Sequence, residues 1–179
     1  DAASASLALA SQFQEPLHAL EAMRSVLSVN PEPTRADVQL AARNWLETGG
    51  LQAIGWSERV PRADIAAFEA RSRLDGFPGY RVFDREAPAE GGPQANPAVT
   101  PVAADREVMA IRFIEPLAGN SAALGVNSLS VPAARAAIES ARRTGRPAVT
   151  AGFRLTQQTR SEPETGVVVY QAVYHGAPT

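Results

Sequence analysis

The chain has 179 residues, of which 45% are hydrophobic and 20% are charged, a balance that suits one well-packed domain and excludes a disordered chain. The formal net charge is only −2 at pH 7, so no broad electrostatic field draws the protein to nucleic acid or to an anionic membrane. Cysteine is absent, which excludes disulfides, thiolate metal sites and a cysteine nucleophile.

No stretch of the sequence reaches the roughly 18 consecutive apolar residues that a membrane span requires. The first residue is Asp1 rather than an initiator methionine, and no signal peptide follows it. We therefore expect the chain to be a segment of a longer protein, and the missing span says nothing about whether that protein is anchored in a membrane.

The first stretch, residues 1–29, has the pattern of one long helix, with Pro16 expected to kink it. Apolar side chains recur at intervals of three or four residues, which places them on one helix face. They are Phe13, Leu17, Leu20, Met23 and Leu27. This stripe fits a helix that packs on its own core, and its near-heptad spacing also fits a stalk that pairs with a second copy.

The middle of the sequence, up to residue 101, alternates helices with strands and ends in a loop. Thr34 followed by Asp37 is a pair typical of a helix start. Pro61 favours another helix start, and the loop is rich in Pro, Gly, Ala and Asn. The predicted elements are a helix from Thr34 to Glu47, a strand at 51–60, a helix at 61–75, a strand at 80–84 and a loop at 86–101.

The last third of the sequence predicts one helix and three strands. Ser130 is the expected helix cap, Pro132 lies in the first turn and Gly145 at the end. The elements are a strand at 108–114, a helix at 131–143 and a hairpin-like pair of strands at 148–157 and 166–174. The element order predicts an α+β fold, an antiparallel sheet with helices on its faces behind a helical N-terminal extension.

The sequence offers no catalytic centre. The two histidines, His18 and His175, lie far apart and form no metal-binding spacing. There is no glycine-rich phosphate loop, and the serines within 121–130 have no nearby base. Asp84 and Glu86 are interpreted as solvated carboxylates rather than as an acid–base pair. We expect neither an enzyme nor a metal site nor a bound cofactor.

Six segments between residues 55 and 174 together resemble the CHASE domain, the extracellular sensory module of histidine kinases and nucleotide cyclases. Each is weak alone, and their order and spacing make the combined match strong. They are GWSERVP at 55–61, IRFIEPL at 111–117, ALGVN at 123–127, a helix at 133–145 that ends in ARRTG, residues 147–155, and GVVVYQAVY at 166–174.

The resemblance implies a domain organisation and a location. Residues 1–50 would form a long stalk helix and a second helix, and residues 51–179 a PAS-like ligand-binding unit, the membrane-distal part of a CHASE domain. The family's second, membrane-proximal unit would begin after the last strand. The resemblance places the chain outside the cytoplasmic membrane, in the periplasm of a bacterial inner-membrane protein with a histidine kinase or diguanylate cyclase output.

The resemblance also implies a small-molecule ligand. The best understood members are plant receptors for cytokinins, which are adenine derivatives with an apolar tail. In those receptors an acidic residue after the long loop hydrogen-bonds the purine, and a threonine contacts the tail region. The matching positions here are Glu115 and Thr150. Phe113 and Asn127 lie in the matching segments and are predicted as further contacts, although many bacterial members carry Asp where this chain has Asn127.

The same residues can be interpreted without the resemblance. Glu115 follows an apolar strand, so its carboxylate either finds donors such as a purine N–H or is solvated at the strand end. Trp56 and Tyr170 offer flat surfaces on which a planar ligand can stack, and each equally suits the core. Thr150 points to the opposite sheet face from Val149, unless Gly152 carries a bulge that changes the phase.

Two functional hypotheses follow. The first is a sensor domain for a small, largely planar or apolar molecule of the adenine type, forming a homodimer through the N-terminal helix. The second is a structural dimerisation or protein-interaction module without a small ligand.

Overall fold

The structure is a computed structural model that describes residues 2–30, 32–48, 51–85, 106–154 and 165–174. The predicted loop at 86–101, most of the turn between the last two strands, and His175 lie outside these residues. Within the first helix, the side chains are described from Gln14 onward with the exception of Glu15, so the predicted core position Phe13 is not among them.

The described part of the chain contains four α-helices, each within a few residues of its predicted position. No helix among these residues is long and apolar enough to cross a bilayer. The helices are α1 (Ala2–Leu27), α2 (Arg35–Thr48), α3 (Ile65–Leu74) and α4 (Pro132–Thr144). The helical form of the N-terminus is thus confirmed, whereas its role as a stalk stays a prediction.

The predicted cap of α2 is confirmed. The amide of Asp37 donates to Thr34 Oγ1 at 3.3 Å, and the amide of Thr34 donates to Asp37 Oδ2 at 2.8 Å. The hydrogen bonds from Thr34 stabilise the ionised carboxylate and hold the pKa of Asp37 below its usual value. This reciprocal pair fixes where α2 begins.

The predicted cap of α4 is wrong. Val131 occupies the cap position without a side-chain bond, and Ser130 Oγ instead accepts from the Arg85 amide at 2.8 Å and donates to the Asn127 carbonyl at 2.6 Å. The other end behaves as predicted, since Gly145 has φ +67° and its amide donates to Ala141 O at 2.9 Å.

The main sheet has four strands in the order β1-β3-β4-β2. Strands β1 and β3, and β3 and β4, pair antiparallel, but β2 pairs with β4 in parallel, so the sheet is mixed and the prediction of a wholly antiparallel sheet is wrong. The strands are β1 (Ile54–Pro61), β2 (Phe83–Asp84), β3 (Glu107–Glu115) and β4 (Val126–Asn127).

Gly125 permits the parallel pair. It has φ +80°, and a Cβ added there would lie 1.8 Å from the carbonyl oxygen of Arg81, so only glycine lets the two backbones approach. The Phe83 amide then donates to the Gly125 carbonyl at 2.9 Å. This contact adds β2 to the sheet as an edge strand.

The C-terminal hairpin forms as two short antiparallel ladders rather than two continuous strands. The pairing register shifts by one residue between the two ladders, and beside that shift the Val168 amide donates to the Thr150 hydroxyl at 3.0 Å, where a regular ladder would offer a backbone carbonyl. The ladders pair β5 (Ala148–Val149) with β8 (Val169–Tyr170), and β6 (Phe153–Arg154) with β7 (Thr165–Gly166).

A β-bulge sets which side chains of β3 enter the core. Trp56 pairs with Phe113 and Ser57 with Ile111, so Arg112 is an extra residue on β3. The bulge shifts the alternation of side chains, and for this reason Phe113 joins the same buried cluster as Val108 and Ala110. That cluster also contains Met23, Leu27, Val38, Ala42, Ile54, Val60, Phe68, Phe77 and Tyr80.

A smaller cluster lies on the opposite face of β3. Its buried members Leu129, Ala134 and Ile138 contact Met109, whose side chain alternates with those of Val108 and Ala110. Thus α1, α2 and α3 contribute to the core on one face, and α4 covers the other. The α+β class is therefore confirmed, whereas the PAS-like architecture stays a prediction.

Candidate ligand-binding site

Glu115 ends β3, and its side chain is 10% exposed. Two side chains from the first turns of α2 reach it, with Arg35 Nε donating at 3.2 Å and Gln39 Nε2 at 2.9 Å. Both bonds go to the same oxygen, Oε1, and no donor from the described residues reaches Oε2. The carboxylate is therefore anchored to α2 and keeps one oxygen available for a further hydrogen bond.

Arg35 connects Glu115 with a surface groove. Its guanidinium carbon lies 4.9 Å from the centre of the Phe77 ring, within the range of a cation–π contact. Phe77 also lines a groove of about 330 Å³ together with the segment that follows it. The remaining lining residues are Gly76, Pro78, Gly79, Tyr80, Arg81, Phe83, Ser121 and Leu124.

The groove wall at Tyr80 is rigid. The phenol donates to the Ile111 carbonyl at 2.9 Å, and its ring packs edge-on against Phe68 with ring centres 5.8 Å apart. Burial, with the charge of Glu58 adding to it, raises the pKa of Tyr80 well above its usual value, so the phenol stays neutral. Tyr80 therefore shapes the groove and is no acid or base.

Trp56 and Phe113 lie on the same sheet face as Glu115. Trp56 and Phe113 face each other on neighbouring strands, and Glu115 is two residues beyond Phe113 on β3. Phe113 is completely buried in the core. Trp56 is half-buried, and its indole Nε1 is buried without an acceptor among the described residues. A buried donor left unpaired costs about 1–3 kcal/mol, so an acceptor brought by a ligand would be favoured there.

Asn127 is bonded within the protein on both sides of its amide. Its Oδ1 accepts from the Met109 amide at 3.0 Å and the Leu129 amide at 3.2 Å, while Nδ2 donates to Asp84 Oδ1 at 2.7 Å. The side chain is fully buried. In this arrangement Asn127 joins β3, β4 and the end of β2.

Thr150 and Tyr170 both lie on the C-terminal hairpin. The Thr150 side chain is bonded to Val168, as described above, and Tyr170 packs on the cluster of Leu129 and Ile138. Burial raises the pKa of the Tyr170 phenol, and a hydrogen bond with Ser128 opposes that shift. The structure thus puts Trp56, Phe113 and Glu115 on one sheet face, whereas Tyr170 contacts the cluster on the other face.

Three residues of this site were not found from the sequence. Arg35 and Gln39 stand four apart and so share one face of α2, a signal visible in the sequence, yet nothing local shows that their partner lies 80 and 76 positions away. Phe77 gives no signal beyond its hydrophobicity. All three residues take part in the site through contacts with residues far away in the sequence.

Other candidate sites among the described residues are weaker. No group of three or more His, Asp and Glu side chains there is arranged to hold a metal ion. A second groove of about 280 Å³ lies between the end of α1 and the chain after β8, and neither groove is lined by any of the six predicted contacts. The first groove differs in that Phe77, in its wall, packs against Arg35.

A comparison with known protein families identifies the family of this chain. The model of the CHASE domain family matches residues 31–179, and the chain belongs to that family. CHASE domains are extracellular or periplasmic sensory domains of receptors, and they are not catalytic. Among curated proteins, none matches this chain.

Proposed function

We propose that the chain is the periplasmic ligand-binding part of a membrane-anchored bacterial histidine kinase or diguanylate cyclase. We propose further that it senses a small planar molecule of the adenine type. The observation that carries the sensory role is the family match over residues 31–179.

The adenine class is supported by two polar atoms on one sheet face. Glu115 Oε2 offers an acceptor, and the unpaired Trp56 Nε1 offers a donor. A purine edge carries an N–H next to a ring nitrogen and can satisfy both kinds of group. The groove beside Phe77, about 330 Å³, is open to solvent and is lined by neither Glu115 nor Trp56, and Arg35 connects it with Glu115 through its contact with Phe77. The proposal rests on Glu115 and Trp56, because Asn127, Thr150 and Phe113 are already held by the protein.

The same contacts provide a route for the signal. A ligand that bonds Glu115 acts on a carboxylate that Arg35 and Gln39 tie to α2. Helix α2 packs against α1, and α1 carries the core residues Met23 and Leu27. A ligand that binds one arrangement of these helices more tightly than another would shift their populations, and α1 would pass that shift on.

We expect N6-substituted adenines to bind with a free energy of about −8 kcal/mol or better, which is micromolar affinity or tighter. The E115A variant should lose about 1.5–3 kcal/mol of that binding, since it removes a charge-assisted hydrogen bond. Isothermal titration calorimetry measures both, and E139A on the exposed face of α4 is the matched control. Neither heat nor thermal shift for any member of the class would refute the adenine assignment, and an E115A protein that fails to fold would assign Glu115 a structural role.

The alternative proposal, a dimerisation module, is supported by the surface of α1. Leu17 and Leu20 lie three residues apart on one side of α1, and both side chains are only half-buried. An apolar surface of this kind on a helix suits a second copy of the same helix. We propose a homodimer through α1 under either function.

The dimer should appear at high protein concentration and dissociate on dilution, since no helix among the described residues is long and apolar enough to cross a membrane and hold two chains at a high effective concentration. L20E should suppress it by placing a charge in the apolar stripe, whereas H18E, which adds the same charge at an exposed position of α1, should not. Sedimentation over a concentration series distinguishes the two. Wild-type protein that stays monomeric up to near-millimolar concentration would show that α1 does not pair in this segment.

A further inference from the structure

The protein itself places a positive charge on the proposed ligand-binding carboxylate. Arg35 forms an ion pair with Glu115 at 3.2 Å, and among the described residues no second acidic group contacts Arg35. Gln39 adds a neutral donor at 2.9 Å. The Glu115–Arg35 pair therefore has no net charge, although its Oε2 is still a hydrogen-bond acceptor.

Arg35 is held in this place by more than the ion pair. Its side chain is 30% exposed, and its guanidinium packs over the Phe77 ring at 4.9 Å. A planar guanidinium keeps such a stacked position at low entropic cost. By contrast, Arg43 two turns along α2 is exposed and has no acidic partner among the described residues. Arg35 is thus a fixed part of the site rather than a freely moving surface charge.

We infer that Arg35 determines the charge selectivity of the site, which takes neutral N–H donors and rejects cations. The inference rests on the proposed ligand contact at Glu115. A neutral heterocycle needs only the acceptor Oε2, which the ion pair leaves available. A cation would find a carboxylate already neutralised and a guanidinium a few ångströms away, and like charges at that distance repel strongly where water is partly excluded. Arg35 therefore acts on the ligand through Glu115, as a positioning and selecting residue.

The test compares one neutral and one cationic planar molecule, adenine and benzamidine, on wild type and R35M. Methionine keeps an aliphatic chain over Phe77 and removes the charge. In wild type, benzamidine should bind at least tenfold more weakly than adenine. In R35M the ratio of the two dissociation constants should move by at least tenfold in favour of benzamidine, because the unneutralised carboxylate then attracts a cation. A loss of folding alone would weaken both ligands and leave the ratio unchanged.

Two further variants identify the cause. In R35M/E115Q the gain in benzamidine binding should disappear, since no carboxylate remains, and R43M should keep the wild-type ratio. A ratio in R35M within about threefold of wild type, or an equal change in R43M, overturns the inference while adenine binding upholds the proposed function. If benzamidine binds R35M more tightly than wild type while adenine binds neither protein, the adenine assignment is refuted and the role of Arg35 in charge selectivity is upheld. Benzamidine that binds neither form refutes the inference.

Discussion

Replacing Arg112 with methionine is expected to lower the free energy of unfolding by about 3–5 kcal/mol, because it removes the cation shared by Glu58 and Asp75 and leaves the Asp75 carboxylate unpaired inside the domain. Arg112 is 5% exposed. Its Nη1 bonds Glu58 Oε1 at 2.6 Å, and its Nε and Nη2 both bond Asp75 Oδ2, at 2.9 and 2.8 Å. The two carboxylate side chains are only 20% and 19% exposed, so water compensates them poorly.

The surrounding charges show that this cluster is structural. Burial works to lower the pKa of Arg112, but the hydrogen bonds and charges of Glu58 and Asp75 outweigh it and raise the pKa above its usual value. Arg71 holds the other oxygen of Glu58 at 2.9 Å. Arg71 and Asp75 belong to α3 and the turn after it, so the cluster ties that helix to the β-bulge at Arg112.

Denaturant unfolding of wild type and R112M at pH 7 measures the effect. R143M, at an exposed position of α4, should change stability by no more than about 0.5 kcal/mol. The triple variant E58Q/D75N/R112M should recover part of the loss, since it removes the unpaired charges together with the arginine. A loss below about 1 kcal/mol in R112M would mean that water reaches the cluster and that it does not anchor α3.

Local patterns in the sequence predicted the helices well. The Thr34–Asp37 pair and Gly145 mark helix ends through contacts made within a few residues, and such contacts can be inferred from neighbouring letters. Ser130 shows the limit of that inference. It has the right residue type for a cap, but its hydroxyl accepts a hydrogen bond from the backbone amide of Arg85, 45 positions away, instead of capping α4.

The sheet was predictable only in part, because its pairing is not local. The long strands β1 and β3 have clear apolar patterns and were found. Strand β4 is two residues long and was not predicted, and its parallel pairing with β2 depends on the close approach at Gly125. The bulge at Arg112 likewise arises from the register of two strands and has no counterpart in the β3 sequence taken alone.

The candidate site divides in the same way. The resemblance pointed to Glu115, and the structure shows that this carboxylate is held by Arg35 and Gln39, which only the tertiary contact between α2 and β3 brings close. Trp56 was interpreted as either a stacking surface or a core residue, and it is half-buried with its indole N–H unpaired. Residue types and the order of the segments were thus enough to predict the positions of Glu115 and Trp56. The hydrogen-bond partners of Glu115 and the charge of its ion pair could be seen only in the folded structure.

Changing Asn127 to aspartate is expected to destabilise the protein by about 3 kcal/mol at pH 7, because the second carboxylate would meet Asp84. Asn127 Nδ2 now donates to Asp84 Oδ1 at 2.7 Å, and N127D replaces that donor with an acceptor while it keeps the oxygen that the Met109 and Leu129 amides need. Two carboxylates so close repel each other, and the new carboxylate of N127D would be fully buried, whereas the Asp84 side chain is 42% exposed, so water screens only one member of the pair. Arg62, 3.6 Å from Asp84, relieves part of the repulsion.

The penalty has a defined pH dependence. The repulsion raises the pKa of the pair in the folded state above the unfolded value of about 3.9, so the folded N127D protein binds more protons than the unfolded one. Its stability relative to wild type is therefore highest below about pH 4 and falls as the pH rises, levelling off above the raised pKa. The double variant D84N/N127D should recover most of the stability at pH 7, because it restores one donor opposite one acceptor. Thermal unfolding of the three proteins between pH 4 and 8 tests this. If N127D were as stable as wild type at pH 7 but changed ligand affinity, Asn127 would be a ligand contact rather than a structural link between the strands.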